Sequence, residues 1–250
     1  MDLEQRRLAF IYAHPDDESF GVAGLARHYA DLGADISLIT ATRGDAGRAG
    51  EPPICTREEL PVVREAELRE AAKILGIAHV RVLDYRDKHL AEAPPGEIRH
   101  ELVAFIRRHR PQVVVTFDPN GVNQHPDHVA IARFAIDAIV AARDSRWHPR
   151  DGSAHEVRRL LWTSPVLPWD VPKSPDIARE PGIDFLLDIR PQRDAKVAAL
   201  RAHRTQNVPV DRHFFSQPNV DEILSIETFR QAWGPPLASI PSVDIFEGIE

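Results

Sequence analysis

Two short segments of the sequence combine histidine with aspartate in a way that suits metal binding or proton transfer. The first, AHPDDE at 13–18, follows the apolar run RLAFIY, and the second, HPDH at 125–128, follows the apolar run QVVVTF after a polar loop. In both segments a proline stands where a helix begins, because proline suits the first helical position and restrains the histidine before it to an extended backbone. Each segment therefore joins a predicted strand to a predicted helix.

The first segment also carries three consecutive acids, Asp16, Asp17 and Glu18. Acids in a first helical turn accept hydrogen bonds from free N–H groups and interact favourably with the helix dipole. Adjacent carboxylates nevertheless repel one another, and a bound cation would absorb one charge and leave the other acids available for proton transfer. Taken alone, the segment is compatible with a helix cap or with a metal site. For Glu18, helix-end electrostatics and support of a neighbouring site both stay open.

The second segment favours the metal site. In an open parallel sheet both segments leave the carboxyl ends of strands, which is where ligands bind. If the two strands are neighbours at the switch point of the sheet, then His14, Asp17, His125 and His128 converge. Two histidines and one carboxylate, with room for water, form the ligand set of a catalytic zinc site. Zinc is the first choice of metal, and Fe²⁺, Co²⁺ or Mn²⁺ suit the same ligands.

The elements that must position these segments alternate along the chain. The pattern predicts strands at 8–13, 35–40, 79–84, 112–117, 157–164 and 184–189, and helices at 19–33, 57–76, 96–109, 126–143 and 191–206. Mostly apolar strands that alternate with helices are typical of a parallel sheet with helices on both faces. We therefore predict an α/β fold with a Rossmann-like, mostly parallel sheet, plus a C-terminal cap segment.

Length and proline content indicate the domain organisation. With 250 residues, we expect a single domain over 1–250. The region of about 147–182 is rich in proline and breaks the alternation of strands and helices. Such a region is either a lid or binding loop, or a surface excursion that connects two strands.

Charge and cysteine content narrow the class of protein. The net charge of −7 argues against a nucleic-acid or anionic-membrane surface, because both need a basic footprint. Cys55 is the one cysteine, so no internal disulfide can form. The N-terminus shows no apolar signal region, and the apolar runs are too short to span a bilayer. We expect a cytoplasmic protein.

The paired segments closely resemble the signature of the LmbE-like deacetylase superfamily, which includes the N-acetylglucosaminyl-phosphatidylinositol de-N-acetylases (PIG-L). The resemblance extends along nearly the whole chain through weaker motifs, which are LITATRGDAG (38–47), REAELREAAKILGI (64–77), VLDYRD (82–87) and KVAALRAHRTQ (196–206). Two positions depart from it. Asp45 stands where many members carry glutamate, and Lys88 replaces a common glycine.

The resemblance implies a role for each residue of the two segments. The implied zinc ligands are His14, Asp17 and His128. Asp16 is then the general base that takes a proton from the attacking water, and a protonated His125 stabilises the oxyanion. Asp127 lies near His125 in the family, and a carboxylate there raises the pKa of the ring. Which of Asp16 and His125 finally protonates the leaving amine stays open.

The substrate-contacting residues rest on weaker motifs. Arg64 stands at the position of a substrate-binding arginine in the resemblance, although a lone arginine on a helix is usually a solvated charge. Arg43 and Asp45 lie in a glycine-rich loop after the second strand and are expected to line the cleft. The remaining histidines show no ligand spacing, and among them are His100 and His148.

The function implied is a zinc-dependent hydrolase that removes an N-acetyl group from an N-acetylglucosamine-containing small molecule and releases acetate. One alternative is an amidase for another N-acyl substrate, such as a thiol conjugate or an N-acyl glycoside antibiotic. A second is a non-catalytic metal-binding or sugar-binding module. The aglycone, the physiological metal and the oligomeric state stay open, although members of the superfamily are often homo-oligomers.

Overall fold

The central sheet has seven strands within residues 6–163 and 182–249, the part of the chain that this computed structural model describes. They are β1 (Arg7–Tyr12), β2 (Asp35–Thr42), β3 (His79–Tyr85), β4 (Val113–Phe117), β5 (Arg159–Thr163), β6 (Phe185–Asp188) and β7 (Ile226–Trp233). Their spatial order is β3-β2-β1-β4-β5-β7-β6. Strands β1 to β5 are parallel, and β7 is antiparallel to both of its neighbours.

Helices cover both faces of this sheet. In the described residues they are α1 (Asp17–Gly21), α2 (Ala23–Asp31), α3 (Leu60–Leu75), α4 (Pro95–His109), α5 (Gly121–Gln124), α6 (Pro126–Ala142), α7 (Arg193–Ala202), α8 (Asn207–Val210) and α9 (Val220–Ile223). Helices α2, α3 and α7 pack together, and α4 and α6 pack against each other. The connections from β1 to β2 and β3 run in one direction along the sheet, and the connections to β4 and β5 run in the other. Because parallel strands are joined by right-handed crossovers, the two groups of helices lie on opposite faces of the sheet. The predicted α/β class, with a mostly parallel sheet and helices on both faces, is confirmed.

The strand order creates a switch point beside β1. The chain moves outward from β1 to β2 and β3 and then returns to the other side of β1 as β4. All five residues of β4 are buried, as are the last five of β1, which is why both strands read as continuous apolar runs. Their carboxyl ends lie side by side at the same edge of the sheet, so the segments 13–18 and 125–128 emerge next to each other.

One predicted helix is divided in the structure. The sequence pattern indicated a continuous helix over 19–33, but the chain breaks at Val22, with φ −141° and ψ 16°. The break presents the backbone N–H groups of Gly24 and Leu25 to the buried carboxylate of Glu227, at 2.9 and 2.8 Å. The Lys196 ammonium lies 2.7 Å from the same carboxylate and balances its charge. A carboxylate from a distant strand therefore caps the start of α2.

Strand β7 is missing from the sequence-based prediction. Its sequence, IETFRQAW, mixes polar with apolar residues, and only three of its eight positions are buried. It therefore lacks the continuous apolar run that reveals the parallel strands. Its pairing with β5 and β6 depends on residues far away in the chain. The expected C-terminal cap is the helical segment 190–225, which lies between β6 and β7 and carries its own small apolar cluster.

The proline-rich region is described only in part. Residues 147–158 form an irregular connection and residues 159–163 form β5, whereas 164–181 lie outside the described residues. The single-domain expectation and the choice between a lid and a connecting loop therefore stay predictions. Among the helices that the structure describes, none is both long enough and apolar enough to cross a membrane.

The substitution Glu227→Gln should lower the free energy of unfolding by about 3 kcal/mol, because it leaves the buried Lys196 ammonium without a counter-charge. Urea unfolding followed by circular dichroism measures this loss. The control is Glu222→Gln, which changes an exposed acid of α9 and should alter stability by less than about 0.5 kcal/mol. Equal stability of the two variants would contradict the capping role of Glu227.

Candidate metal centre and active site

Three side chains from the two segments meet at the carboxyl edge of β1 and β4. Nδ1 of His14 lies 3.2 Å from Nε2 of His128. The Asp17 carboxylate lies 3.4 Å from Nε2 of His128 and 3.7 Å from Nδ1 of His14. All three residues are buried. The structure thus brings together the three residues that the resemblance implies as metal ligands.

Backbone contacts hold the Asp17 carboxylate in place. Its Oδ2 accepts hydrogen bonds from the backbone N–H groups of Ala13 and His14, at 3.1 and 2.8 Å. The other oxygen, Oδ1, is the one nearer to His128. Burial raises the pKa of this carboxyl, but the two nearby imidazoles and the backbone hydrogen bond lower it by more, to about 2. Asp17 is therefore an anion that faces two imidazole nitrogens.

The hydrogen bond of His128 determines which ring nitrogen faces the centre. Its Nδ1 donates to the carbonyl oxygen of Gly121 at 3.2 Å, so a neutral ring has its lone pair on Nε2. The ring also stacks on Phe117, the last residue of β4, with centroids 4.0 Å apart. Strand β4 therefore orients the ring, and the chain beyond it determines the tautomer.

Two carboxylates determine the orientation and the tautomer of the His14 ring. Its Nε2 donates to Oδ2 of Asp127 at 3.1 Å, and Oδ1 of Asp87 lies 3.2 Å from the same nitrogen. Burial lowers the pKa of this imidazole, but the two carboxylates raise it by more, to about 10. In the neutral ring Nδ1 carries the lone pair, and it points toward His128 and Asp17. The surroundings of His14 therefore favour a cation at Nδ1.

This arrangement fits a divalent metal ion. Two imidazole nitrogens and a carboxylate face one point, and either a proton on Nδ1 of His14 or a divalent cation between them relieves their mutual repulsion. A tetrahedral zinc ion with bonds of 2.0–2.2 Å would separate its ligand atoms by about 3.4 Å. The two ring nitrogens are 3.2 Å apart, Oδ1 of Asp17 lies 3.4 Å from Nε2 of His128, and Oδ2 of Asp17 lies 3.7 Å from Nδ1 of His14. His125 can also bring a ring nitrogen to His14 and His128, which makes it the competing third donor.

Asp127 differs from its expected position. We expected its carboxylate beside the His125 ring, but it contacts His14 and accepts hydrogen bonds from the backbone N–H groups of Lys88 and Leu90, at 2.6 and 3.0 Å. Lys88 has a left-handed backbone, with φ 71°, a conformation that glycine adopts more readily than other residues. The Asp127 carboxylate therefore holds this backbone and orients a metal ligand.

The protonation state of His125 also differs from the expectation. Its Nδ1 accepts a hydrogen bond from the backbone N–H of Asp127 at 3.2 Å, so this nitrogen carries no proton. The ring proton is then on Nε2, and the ring is neutral rather than cationic. Burial, together with the neighbouring His14 and His128 rings, lowers the pKa of His125, which agrees with this assignment. His125 is half-buried and lies against His14, with ring centroids 4.8 Å apart.

Asp16 lies beside the donor set in a strained conformation. Its φ of 119° is left-handed, which is costly for a residue other than glycine and is typical of functional sites. The strain turns its carboxylate toward Arg64, whose Nη2 lies 3.1 Å away, and the Asp16 side chain stays 16% exposed. Burial raises the pKa of Asp16 to about 6, and the Arg64 guanidinium limits that rise. Among these buried acids, Asp16 is thus suited to exchange a proton near neutral pH.

Glu18 and His203 support this backbone, and the sequence did not reveal their pairing. Oε2 of Glu18 accepts the Asp16 backbone N–H at 3.1 Å, and Oε1 lies 2.7 Å from Nε2 of His203. Both side chains have no exposed surface. Burial lowers the pKa of His203, but the Glu18 carboxylate raises it by more. Their separation of 185 residues hides the pair from any local pattern. Asp87 was missed for the same reason, although it lies in the VLDYRD motif.

Arg64 is buried against the protein rather than open to a ligand. It is 3% exposed, and its guanidinium donates to the carbonyl oxygens of Gly44 and Pro15 as well as to Asp16. A Cβ on Gly44 would lie 2.1 Å from Nη1 of Arg64, so the loop requires glycine there to approach the guanidinium. Arg64 therefore positions the general-base candidate and the loop after β2.

Arg43 and Asp45 also have protein partners. Arg43 pairs with Glu65 and Asp84. Oδ1 of Asp45 accepts the backbone N–H of Asp87 at 3.1 Å. The Asp45 contact joins the loop after β2 to the loop after β3, where Asp87 lies against His14. The Arg43 contacts join the loop after β2 to β3 and α3. The expected substrate contacts of both residues stay predictions.

The fold and this site together define an α/β protein with a candidate metal site of histidines and a carboxylate at the switch point of its sheet. The family described as GlcNAc-PI de-N-acetylase (PIG-L) matches residues 9–139, a little over half of the chain, and that stretch includes both segments. The chain belongs to this family, as the resemblance implied.

Similar proteins support the assignment over most of the chain. A 1D-myo-inositol 2-acetamido-2-deoxy-alpha-D-glucopyranoside deacetylase of Streptomyces avermitilis is 33% identical, with 99% of each chain covered. The N,N'-diacetylchitobiose deacetylase of Pyrococcus horikoshii superposes with a TM-score of 0.70 at 22% identity, covering 91% of this chain and 84% of the other. GalB, a 4-carboxy-2-hydroxymuconate hydratase of Pseudomonas putida, gives 0.69 at 19% identity, covering 94% and 100%. At such identities a structural match shows the fold alone, so the chemistry must come from the site.

The substitution His128→Ala should abolish tight metal binding at this centre, because it removes one of three donors. The matched variant His125→Ala should keep the ion, because its Nδ1 is engaged with the Asp127 backbone. Elemental analysis of protein that has been purified with zinc, and filtered to remove loosely bound ions, measures the zinc content of both variants. A lower zinc content than the wild type in the His125 variant, with the wild-type content in the His128 variant, would assign the third donor to His125 instead.

Proposed function

We propose that the protein is a metal-dependent hydrolase that removes the N-acetyl group from an N-acetylglucosamine-containing small molecule. The observation that carries the proposal is the division of roles between adjacent acids. Asp17 faces the two imidazoles, whereas Asp16, one residue earlier, pairs with Arg64 and is partly exposed. A binding module would need the ligand set, but it would have no use for a strained, proton-exchanging carboxylate beside it.

A divalent ion held by His14, Asp17 and His128 would polarise the acetamide carbonyl and lower the pKa of water. Zinc fits best, because two imidazoles and one carboxylate with an open position form its usual catalytic ligand set. Iron(II) and other divalent transition ions suit the same donors.

Asp16 is the general base of this proposal. Its carboxylate takes the proton of the attacking water and later returns a proton toward the departing amine. Arg64 and Glu18 hold it in position, one at the carboxylate and one at the backbone N–H. Because these two groups fix the strained backbone, the Asp16 carboxylate is held in one position before substrate arrives.

His125 supplies a hydrogen-bond donor on the other side of the donor set. Since its Nδ1 accepts the Asp127 backbone N–H, the neutral ring presents Nε2–H. That N–H donates to the carbonyl oxygen as negative charge develops on it, and removing such a donor typically costs about 3 kcal/mol of barrier. A neutral donor does not need the raised pKa that the sequence comparison suggested.

The sugar part of the substrate is inferred from the family and from the Streptomyces relative, whose name describes an N-acetylglucosaminyl-inositol deacetylase. That relative covers 99% of this chain, so its activity is a reasonable guide to the whole protein. The substrate of this proposal is therefore an N-acetylglucosaminide with a small polar aglycone, handled in the reducing compartment that the lone Cys55 suggests.

The substitution Asp16→Asn should lower kcat by about 10³-fold while leaving the metal content unchanged, because it removes the base and keeps the shape of the side chain. Acetate release from N-acetylglucosaminyl-inositol and elemental analysis measure the two quantities. The control is Asp35→Asn, at the amino end of β2 and away from this edge of the sheet, which should keep full activity. A fully active Asp16 variant would show that the base is another group.

A panel of substrates should distinguish deacetylation from the other chemistry that the fold can carry. We expect zinc-dependent acetate release from N-acetylglucosaminides, abolished by a chelator and restored by zinc. Turnover should be much lower with N-acyl amino acids and thiol-conjugate amides of similar size. Preference for one of those amides would identify an amidase instead. Metal binding without release of acetate or any acid would identify a binding module.

A further inference from the structure

A second cluster of donor atoms lies on the outer surface, away from the two segments of the active site. It consists of His100 on α4 and of His148 and Asp151 in the connection that follows α6. Nδ1 of His100 is 3.2 Å from Nδ1 of His148 and 3.0 Å from Oδ2 of Asp151. The remaining pair, Nδ1 of His148 and Oδ2 of Asp151, is 3.9 Å apart. None of these residues contributes to the centre between β1 and β4.

Protons alone satisfy this cluster poorly. A single ring proton can form a hydrogen bond in only one of the three contacts. In the other contacts the facing atoms then present lone pairs to each other. Oδ2 of Asp151, the carboxylate oxygen nearest to both imidazoles, is a buried atom without a hydrogen-bond partner. A single divalent ion would accept a lone pair from all three donors at once, and tetrahedral geometry requires separations of about 3.4 Å, which lies within the observed spread.

The backbone that carries two of the donors is held in place. The buried Arg107 donates to the carbonyl oxygens of Ala142, Asp144 and His148, at 3.1, 2.9 and 2.7 Å. The backbone N–H of Asp151 donates to the same His148 carbonyl at 3.0 Å. His148 adopts a left-handed backbone, with φ 42°, a conformation that local contacts must maintain.

The loop is also fastened on the α4 side of the cluster. The Arg99 guanidinium lies 4.9 Å from the centroid of the Trp147 ring, so residues next to His100 and His148 are stacked on each other. These contacts place the donors before any ion binds, which reduces the ordering cost of binding.

We propose that His100, His148 and Asp151 form a second site for a divalent transition-metal ion, which fastens the connection after α6 to helix α4. Two imidazoles and a carboxylate suit zinc, and also copper or nickel, better than magnesium or calcium. The side chain of His100 is 50% exposed, so water can complete the coordination. The site binds independently of the active site, and it stabilises the folded chain by binding only that state.

Zinc stoichiometry tests the proposal. Metal-free protein is incubated with a slight excess of zinc, desalted and analysed for zinc per chain. We expect about two ions in the wild type, one in His148→Asn, one in His128→Ala and none in the double variant. Asparagine is chosen because it tolerates the left-handed backbone of His148. The matched control His28→Gln, which removes a histidine from α2, should keep two ions.

A thermal measurement separates the two sites from each other. In the His128→Ala background, zinc should raise Tm by several degrees, about 3 °C for each kcal/mol of binding energy in a chain of this size. That rise should vanish when His148→Asn is added. If His148→Asn fails to fold, His100→Gln serves as the second variant, because glutamine is well tolerated on a helix surface. Equal zinc content in the wild type and in His148→Asn, or an unchanged rise in Tm in both double variants, would overturn the proposal.

Discussion

The repulsion between electron-rich groups at the switch point is the constraint on which the rest of the site depends. The adjacent ends of β1 and β4 bring two imidazole lone pairs and the Asp17 carboxylate to one point. Two further carboxylates, Asp87 and Asp127, fix the His14 ring from behind. Positive charge at the centre, from a proton on His14 or from a metal ion, offsets this repulsion. The loops after β2, β3 and β4 all contribute to holding these groups.

The same constraint explains the unusual backbone of Asp16. In a helix that began directly after Pro15, Asp16 and Asp17 would lie in the same helical turn. In the structure they contact different partners, because Asp16 pairs with Arg64 and Asp17 faces His128. The left-handed backbone of Asp16 separates them, and Glu18, Arg64 and His203 stabilise it. Because His203 follows α7, the C-terminal helical segment takes part in the active site. Backbone strain at Asp16, the proposed general base, is thus offset by contacts from distant parts of the chain.

Local sequence patterns predicted most of the parallel sheet and the candidate metal ligands, because both can be recognised from the types of neighbouring residues. Buried parallel strands are continuous apolar runs, and a proline after a histidine signals a strand-to-helix junction. The contacts of Asp127, Arg64 and His203 cannot be recognised from the types of neighbouring residues. Each depends on which loop lies opposite in the folded chain, and so Asp127 faces His14 rather than its sequence neighbour His125. Strand β7 and the break at Val22 were missed for the same reason.

The sequence by itself determined the α/β class, the family and the three residues that meet as candidate metal ligands, since two specific motifs follow two recognisable strands. Only the tertiary structure decided how these residues are oriented. It assigned the tautomers of His14, His125 and His128 through their hydrogen bonds. It also turned Arg64 inward and brought His100 to His148. The physical reason is that directional contacts between residues far apart in sequence exist only when the chain is folded.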